Sequence, residues 1–120
     1  MALYVNYPKN VNTIGINKHI ESLVNYYLPK QDTLEKMAYL FYLFSDKTRL
    51  RIMFALTISK MCVNDISATT GINRTTVSHQ LTIMKRENLI KGESCGKLKI
   101  YSVSDELLTE VLKLGAKYIS

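Results

Sequence analysis

At 120 residues the chain has room for one domain but buries only a modest core alone, so sharing that core with a second copy would add stability. Hydrophobic residues at 47% and charged residues at 22% exclude a disordered chain. A net charge of +6 favours a polyanionic partner, and no apolar run approaches the ~20 residues that cross a bilayer.

Residues 1–12 hold Pro8 and several asparagines without a sustained period, and are expected to be an irregular arm before a single domain over residues 13–120. Ile16, Ile20, Leu23, Val24 and Tyr27 then share one helical face, and Pro29 ends that helix. Gln31 or Asp32 opens the next. Its apolar set, Leu34, Met37, Ala38, Leu40, Phe41 and Phe44, predicts burial on most sides. Asp46 is placed to cap a third helix running to about Ser59, with Leu50, Ile52, Met53, Ala55 and Leu56 inward. A short fourth helix covers residues 63–70, with Ile66 and Ala68 as its apolar surface and Gly71 as its left-handed terminator.

Asn73 caps a fifth helix whose Val77, Leu81 and Met84 repeat at i, i+4 and i+7. That spacing turns the three inward and sends Arg74, Thr75, Ser78, His79 and Thr82 outward. Leu89 and Ile90 close the element. Residues 91–94 and 97–103 alternate as paired strands around a Cys95-Gly96 turn. Leu98, Ile100 and Val103 do not alternate onto one face, which suggests a bulge. Ser104 or Asp105 caps a last helix carrying Leu107, Leu108, Val111, Leu112, Gly115, Tyr118 and Ile119, a stripe wide enough to call for a second subunit. The expected fold is mainly α with a small β-hairpin, an α+β winged helix-turn-helix.

In such a fold the polar start of the fifth helix faces the major groove. Arg74 is suited to a bidentate bond with guanine, Thr75, Ser78 and His79 to shorter polar contacts, and Thr76 to a phosphate near the helix start. Lys97 and Lys99 bring charge on the hairpin, and Lys85, Arg86 and Lys91 add positive potential. Gln80, one residue round the helix, is placed to brace the fold.

The stretch Phe44-Ser45-Asp46-Lys47-Thr48-Arg49-Leu50-Arg51-Ile52 resembles the L-S-D-P-T-R-L-R-I opening of the ArsR/SmtB metalloregulators. Cys62-Val63-Asn64-Asp65-Ile66 resembles their C-V-C-D-L box, and Thr76-Val77-Ser78-His79-Gln80-Leu81 their V-S-H-Q-L recognition helix. Residues 96–101 resemble the end of their wing. Several motifs in the right order, over about residues 34–118, are far more specific than any one of them. The resemblance implies a homodimeric repressor with its first and last helices at the interface, bound to a roughly palindromic double-stranded DNA operator until an effector weakens it. It also implies a structural role for Arg49.

The chain departs from the family at both metal sites. The thiolate site wants two box cysteines, yet Asn64 follows Cys62 and the N-terminal region offers His19 but no cysteine. The other site opens on Asp-x-His; here Asp105 is followed by Leu107, and Tyr118 stands where an imidazole belongs. Neither site is expected to be intact, and no cofactor is expected. Cys62 reads as a small buried hydrophobe and Cys95 as an exposed thiol, and a redox pair between them would need their α carbons within about 7 Å. Two such distant cysteines make no disulfide scaffold, residues 1–8 show no secretory leader, and a cytoplasmic location is expected. The sequence offers no assembled nucleophile, base and oxyanion site, so an enzyme is not expected. The alternative is a winged helix that binds a protein partner instead of DNA.

Overall fold

The computed structural model describes residues 17–120; the expected arm, and the start of the domain at residue 13, lie outside them. The chain divides into two compact units, Met1–Tyr39 and Leu40–Ser120. Helix α1 (Lys18–Tyr27) lies in the first, and α2 (Gln31–Phe44) begins there. The Asn17 side chain accepts from the His19 N–H at 2.8 Å and so satisfies a free donor at the start of α1. Leu28 is extended, as a residue before proline must be, and that ends the helix. Val24, Tyr26 and Tyr27 stay exposed.

The second unit carries the end of α2, then α3 (Lys47–Ile58), α4 (Val63–Thr70), α5 (Arg74–Arg86), strands β1 (Ile90–Cys95) and β2 (Leu98–Val103), and α6 (Glu106–Ile119). Asp46 Oδ1 accepts from the Arg49 N–H at 2.9 Å, Asn73 Oδ1 from that of Thr76 at 2.8 Å and Asp105 Oδ1 from that of Leu107 at 2.8 Å. Three of the helix starts are thereby set by side chains that the sequence marks. Ile52, Met53, Ile66, Val77, Leu81 and Met84 form the buried centre, where α3, α4, α5 and the hairpin meet. No helix among the described residues is long and apolar enough to cross a membrane.

Two expectations need correction. Helix α2 is not buried on most sides: Leu43 and Phe44 are its buried residues, while Met37 and Phe41 are exposed. On α4, Ile66 is the buried residue, in keeping with the little apolar surface that the sequence gives that helix. The hairpin has no bulge, because its ladder runs unbroken from Ile90 opposite Val103 to Cys95 opposite Leu98. Val103, Tyr101 and Ile90 share the face turned to the core, and Leu98 is left exposed on the other, so no extra residue is needed to bring it round. The turn falls on Gly96 and Lys97, with Gly96 at φ +62°.

Candidate nucleic-acid interface

Helices α4 and α5 are joined by a three-residue turn built from local polar contacts. Gly71 adopts φ +75°, a left-handed conformation that ends α4 and that side chains with a Cβ resist. The Ser67 hydroxyl donates to the carbonyl of Ile72, and the Thr70 hydroxyl accepts from the Ile72 N–H. Asn73 then starts α5. Val77, Leu81 and Met84 are all at 2% exposure or less, so the helix cannot rotate without losing the core. Arg74, Thr75, Ser78, His79 and Thr82 therefore stay exposed on the opposite face.

Thr76 is half-buried and its N–H is taken by the Asn73 cap, which leaves its hydroxyl as the group a phosphate could meet. Arg74 Nη1 donates to Asn64 Oδ1 at 3.3 Å, so the residue in the second box position tethers the guanidinium from α4. The sequence marked Asn64 only as a missing ligand. The Thr82 hydroxyl donates back to the Ser78 carbonyl at 3.0 Å.

Arg49 holds this helix from behind. It is buried; its Nε donates to the Leu43 carbonyl at 2.7 Å and its Nη1 to Gln80 Oε1 at 3.0 Å. One guanidinium thus ties the end of α2 and the start of α3 to the middle of α5, with its donors split between two acceptors as only a planar fork allows. The bracing roles expected of Arg49 and Gln80 are the same contact.

Lys97 sits in the exposed wing turn and Lys99 on β2. Lys99 reaches towards α5, where a hydrogen bond from its side chain, and then its like charge, lowers the pKa of Lys85. Leu81, Thr82, Lys85, Arg86, Lys99 and Tyr101 line a cleft of about 520 Å³ between helix and wing. Gly92 was not singled out by sequence, although a glycine inside a strand is a signal of close approach. A Cβ there would lie 2.9 Å from Lys99 Cε and 3.2 Å from Tyr101 Cε1.

Cys62 is buried at the start of α4 and lines a small cleft of about 160 Å³ with Asn64, Lys97 and Lys99. Cys95 is exposed at the end of β1, and both thiols are free. Asp105 is spent on capping α6, and His19 is exposed on α1 in the first unit. Among the described residues no three His, Cys, Asp or Glu side chains gather to hold a metal ion.

Comparison with known proteins places this arrangement. The profile of the bacterial regulatory protein arsR family matches residues 46–91, from the cap of α3 into β1. A transcriptional repressor SmtB homolog of Synechocystis is 36% identical over 88 residues, 73% of this chain and 67% of that protein. The crystal structure of the antimony-specific transcriptional repressor AntR aligns with a TM-score of 0.72 at 29% identity, over 82% of this chain and 89% of the other. The homodimeric winged helix-turn-helix domain of a possible ArsR-family regulator from Mycobacterium bovis shares the fold at 21% identity, with a TM-score of 0.65 and coverage of 89% and 90%. With its capped helix pair, braced recognition helix and short hairpin in that order, the chain belongs to the ArsR/SmtB family and is a winged helix-turn-helix, DNA-binding transcriptional regulator.

Proposed function

We propose that this regulator is a homodimeric repressor of a roughly two-fold-symmetric operator, read by α5 and flanked by the wing. The observation that carries the reading is the division of α5 into a fully buried stripe, Val77, Leu81 and Met84, and an exposed face of Arg74, Thr75, Ser78 and His79. Those four side chains offer the donors and acceptors that base edges take. No leucine or aromatic interrupts that face, as a protein-docking surface would require.

A second copy is called for by apolar surface. On α6, Leu107, Val111, Leu114, Tyr118 and Ile119 are exposed, and a groove of about 430 Å³ opens beside them, walled by Phe41, Phe44, Leu50 and Phe54. On α1 the exposed set is Val24, Tyr26 and Tyr27. Patches of this kind are costly in water and mark association surfaces. A dimer would also present two recognition helices to successive major grooves.

The effector acts elsewhere than at the family's metal positions. Cys62 has no thiolate partner in the box, Asn64 is engaged with Arg74, and Asp105 is engaged with its own helix. Soft cations want several thiolates and tetrahedral zinc wants nitrogen or sulfur donors, so this donor set fits neither.

Gel-shift titration of the protein against genomic fragments tests the reading. Binding to a subset containing a shared inverted repeat is expected, with affinity falling steeply as salt rises. Absence of binding to any fragment at low salt would refute it.

A further inference from the structure

The cleft between α5 and the wing holds two lysines that the fold brings together without a carboxylate. Among the described residues the ion pairs are Lys36 with Asp32 and Arg86 with Glu87; neither Lys85 nor Lys99 has one. Glu93 of β1 pairs across the hairpin with Ile100, on the face opposite Gly92 and Tyr101, and so points away from the cleft. Two ammonium groups sharing one cleft repel, and none of the side chains that line this cleft is a carboxylate.

The hairpin is also shaped for this approach. Gly92 stands opposite Tyr101, and Lys99 is two residues from Tyr101 on the same face. A methyl at position 92 would meet Lys99 Cε and crowd the Tyr101 ring, so the bare position leaves room for the Lys99 side chain to lie across it.

We propose that Lys85 and Lys99 form a clamp for a single phosphodiester of the DNA backbone, the one that runs between the groove entered by α5 and the groove beside the wing. The inference deepens the operator reading above and rests on it. The backbone strand lies between a major and a minor groove, and a cleft between recognition helix and wing is where it must pass. An anion between the two lysines converts their repulsion into two charge-assisted bonds. Arg86 also lines the cleft, with Glu87 at 3.6 Å from its guanidinium. Such a contact positions the protein on the duplex and carries no sequence information.

The test uses two duplexes of equal length, one selected by the wild-type protein from a random pool and one not selected. Affinity for both is measured across a salt series for wild type, Lys85→Ala, Lys99→Ala and Gly92→Ala, with folding checked by circular dichroism. Each lysine variant is expected to bind both duplexes at least about tenfold more weakly, and to lower the slope of log affinity against log salt by up to about 0.9 for each half-site contacted. The preference for the selected duplex should stay unchanged. Gly92→Ala keeps every charge but displaces Lys99, and should weaken both duplexes by a common factor. An unchanged slope in the lysine variants, or a loss of preference, would overturn the clamp while leaving DNA binding intact. Stabilisation by inorganic phosphate that Lys85→Ala abolishes, with the DNA slope unchanged, would make the cleft a free-anion site and equally overturn it. Failure of the wild type to select any duplex would remove the operator reading and the clamp with it.

Discussion

Arg74 and Arg49 are two arginines with opposite fates, and burial decides which is which. Arg74 is exposed at the start of α5, tethered by one bond to Asn64, and free to trade that bond for a base edge. Arg74→Ala is expected to cost about 1–3 kcal/mol of operator affinity and to relax discrimination at one base pair, read by binding to duplexes substituted one position at a time. Arg49 is buried and bonded to two acceptors, so its loss takes a donor from both the Leu43 carbonyl and the Gln80 amide oxygen. Arg49→Ala should lower unfolding stability by about 3 kcal/mol, measured by urea denaturation, and Arg49→Lys should recover only part of it because a single ammonium cannot span both acceptors. Lys85 adds a pH signature. Its pKa is lowered by Lys99, so it loses its proton, and its hold on an anion, as pH rises and before the ordinary lysine range is reached. DNA affinity should decline on that alkaline limb, and Lys85→Ala should flatten the decline. The exposure of Arg74, Ser78 and His79 was legible in the sequence, because outward direction follows from helical spacing alone. The sequence missed Gly92 and the partners of Asn64, because those depend on which strand and helix come to lie against them.

Among the elements, helix starts were the most legible feature, since Asp46, Asn73 and Asp105 each cap through their own side chains. The end of α4 is equally local. Gly71 sits at φ +75° with nothing within 4 Å of where a Cβ would project, so substitution there meets only backbone strain. Gly71→Ala is expected to cost about 1 kcal/mol, a fall in melting temperature of about 4–8 °C, with DNA contacts otherwise unchanged. Calorimetric scans of both proteins check this. The hairpin was less legible. Alternation gave the strands, but the mismatch of Leu98, Ile100 and Val103 was read as a bulge when the ladder is unbroken and Leu98 lies on the face opposite Val103 and Tyr101. The amphipathic spacing of α2 and α6 was read correctly as apolar, and misread for α2 as buried, because a period reports which face is apolar and not what covers it.

At the scale of the whole molecule, a broad uncovered apolar surface lies on α6, where Leu107, Leu114, Tyr118 and Ile119 are exposed. Leu112 alone of α6 is buried, while Ile119 at 84% exposure lies along the groove beside Phe41 and Phe54. A glutamate at such an exposed position leaves a single copy folded and puts a charge into any apolar interface built there. Ile119→Glu is therefore expected to sediment as a monomer where the wild type sediments as a dimer, and to lose most operator affinity because one recognition helix must then bind without its twin. An unchanged dimer would move the interface away from α6.

If the exposed face of α5, with the wing beside it, is the surface that meets DNA, binding will mark those residues and leave the rest of the protein unchanged. The most direct test is a titration of isotope-labelled protein with its selected duplex, followed by amide nuclear magnetic resonance shifts. The largest changes should fall on residues 74–82 and 97–99, with the groove beside α6 unaffected. Amides of α5 that stay in place while changes gather at α6 or elsewhere would contradict the account.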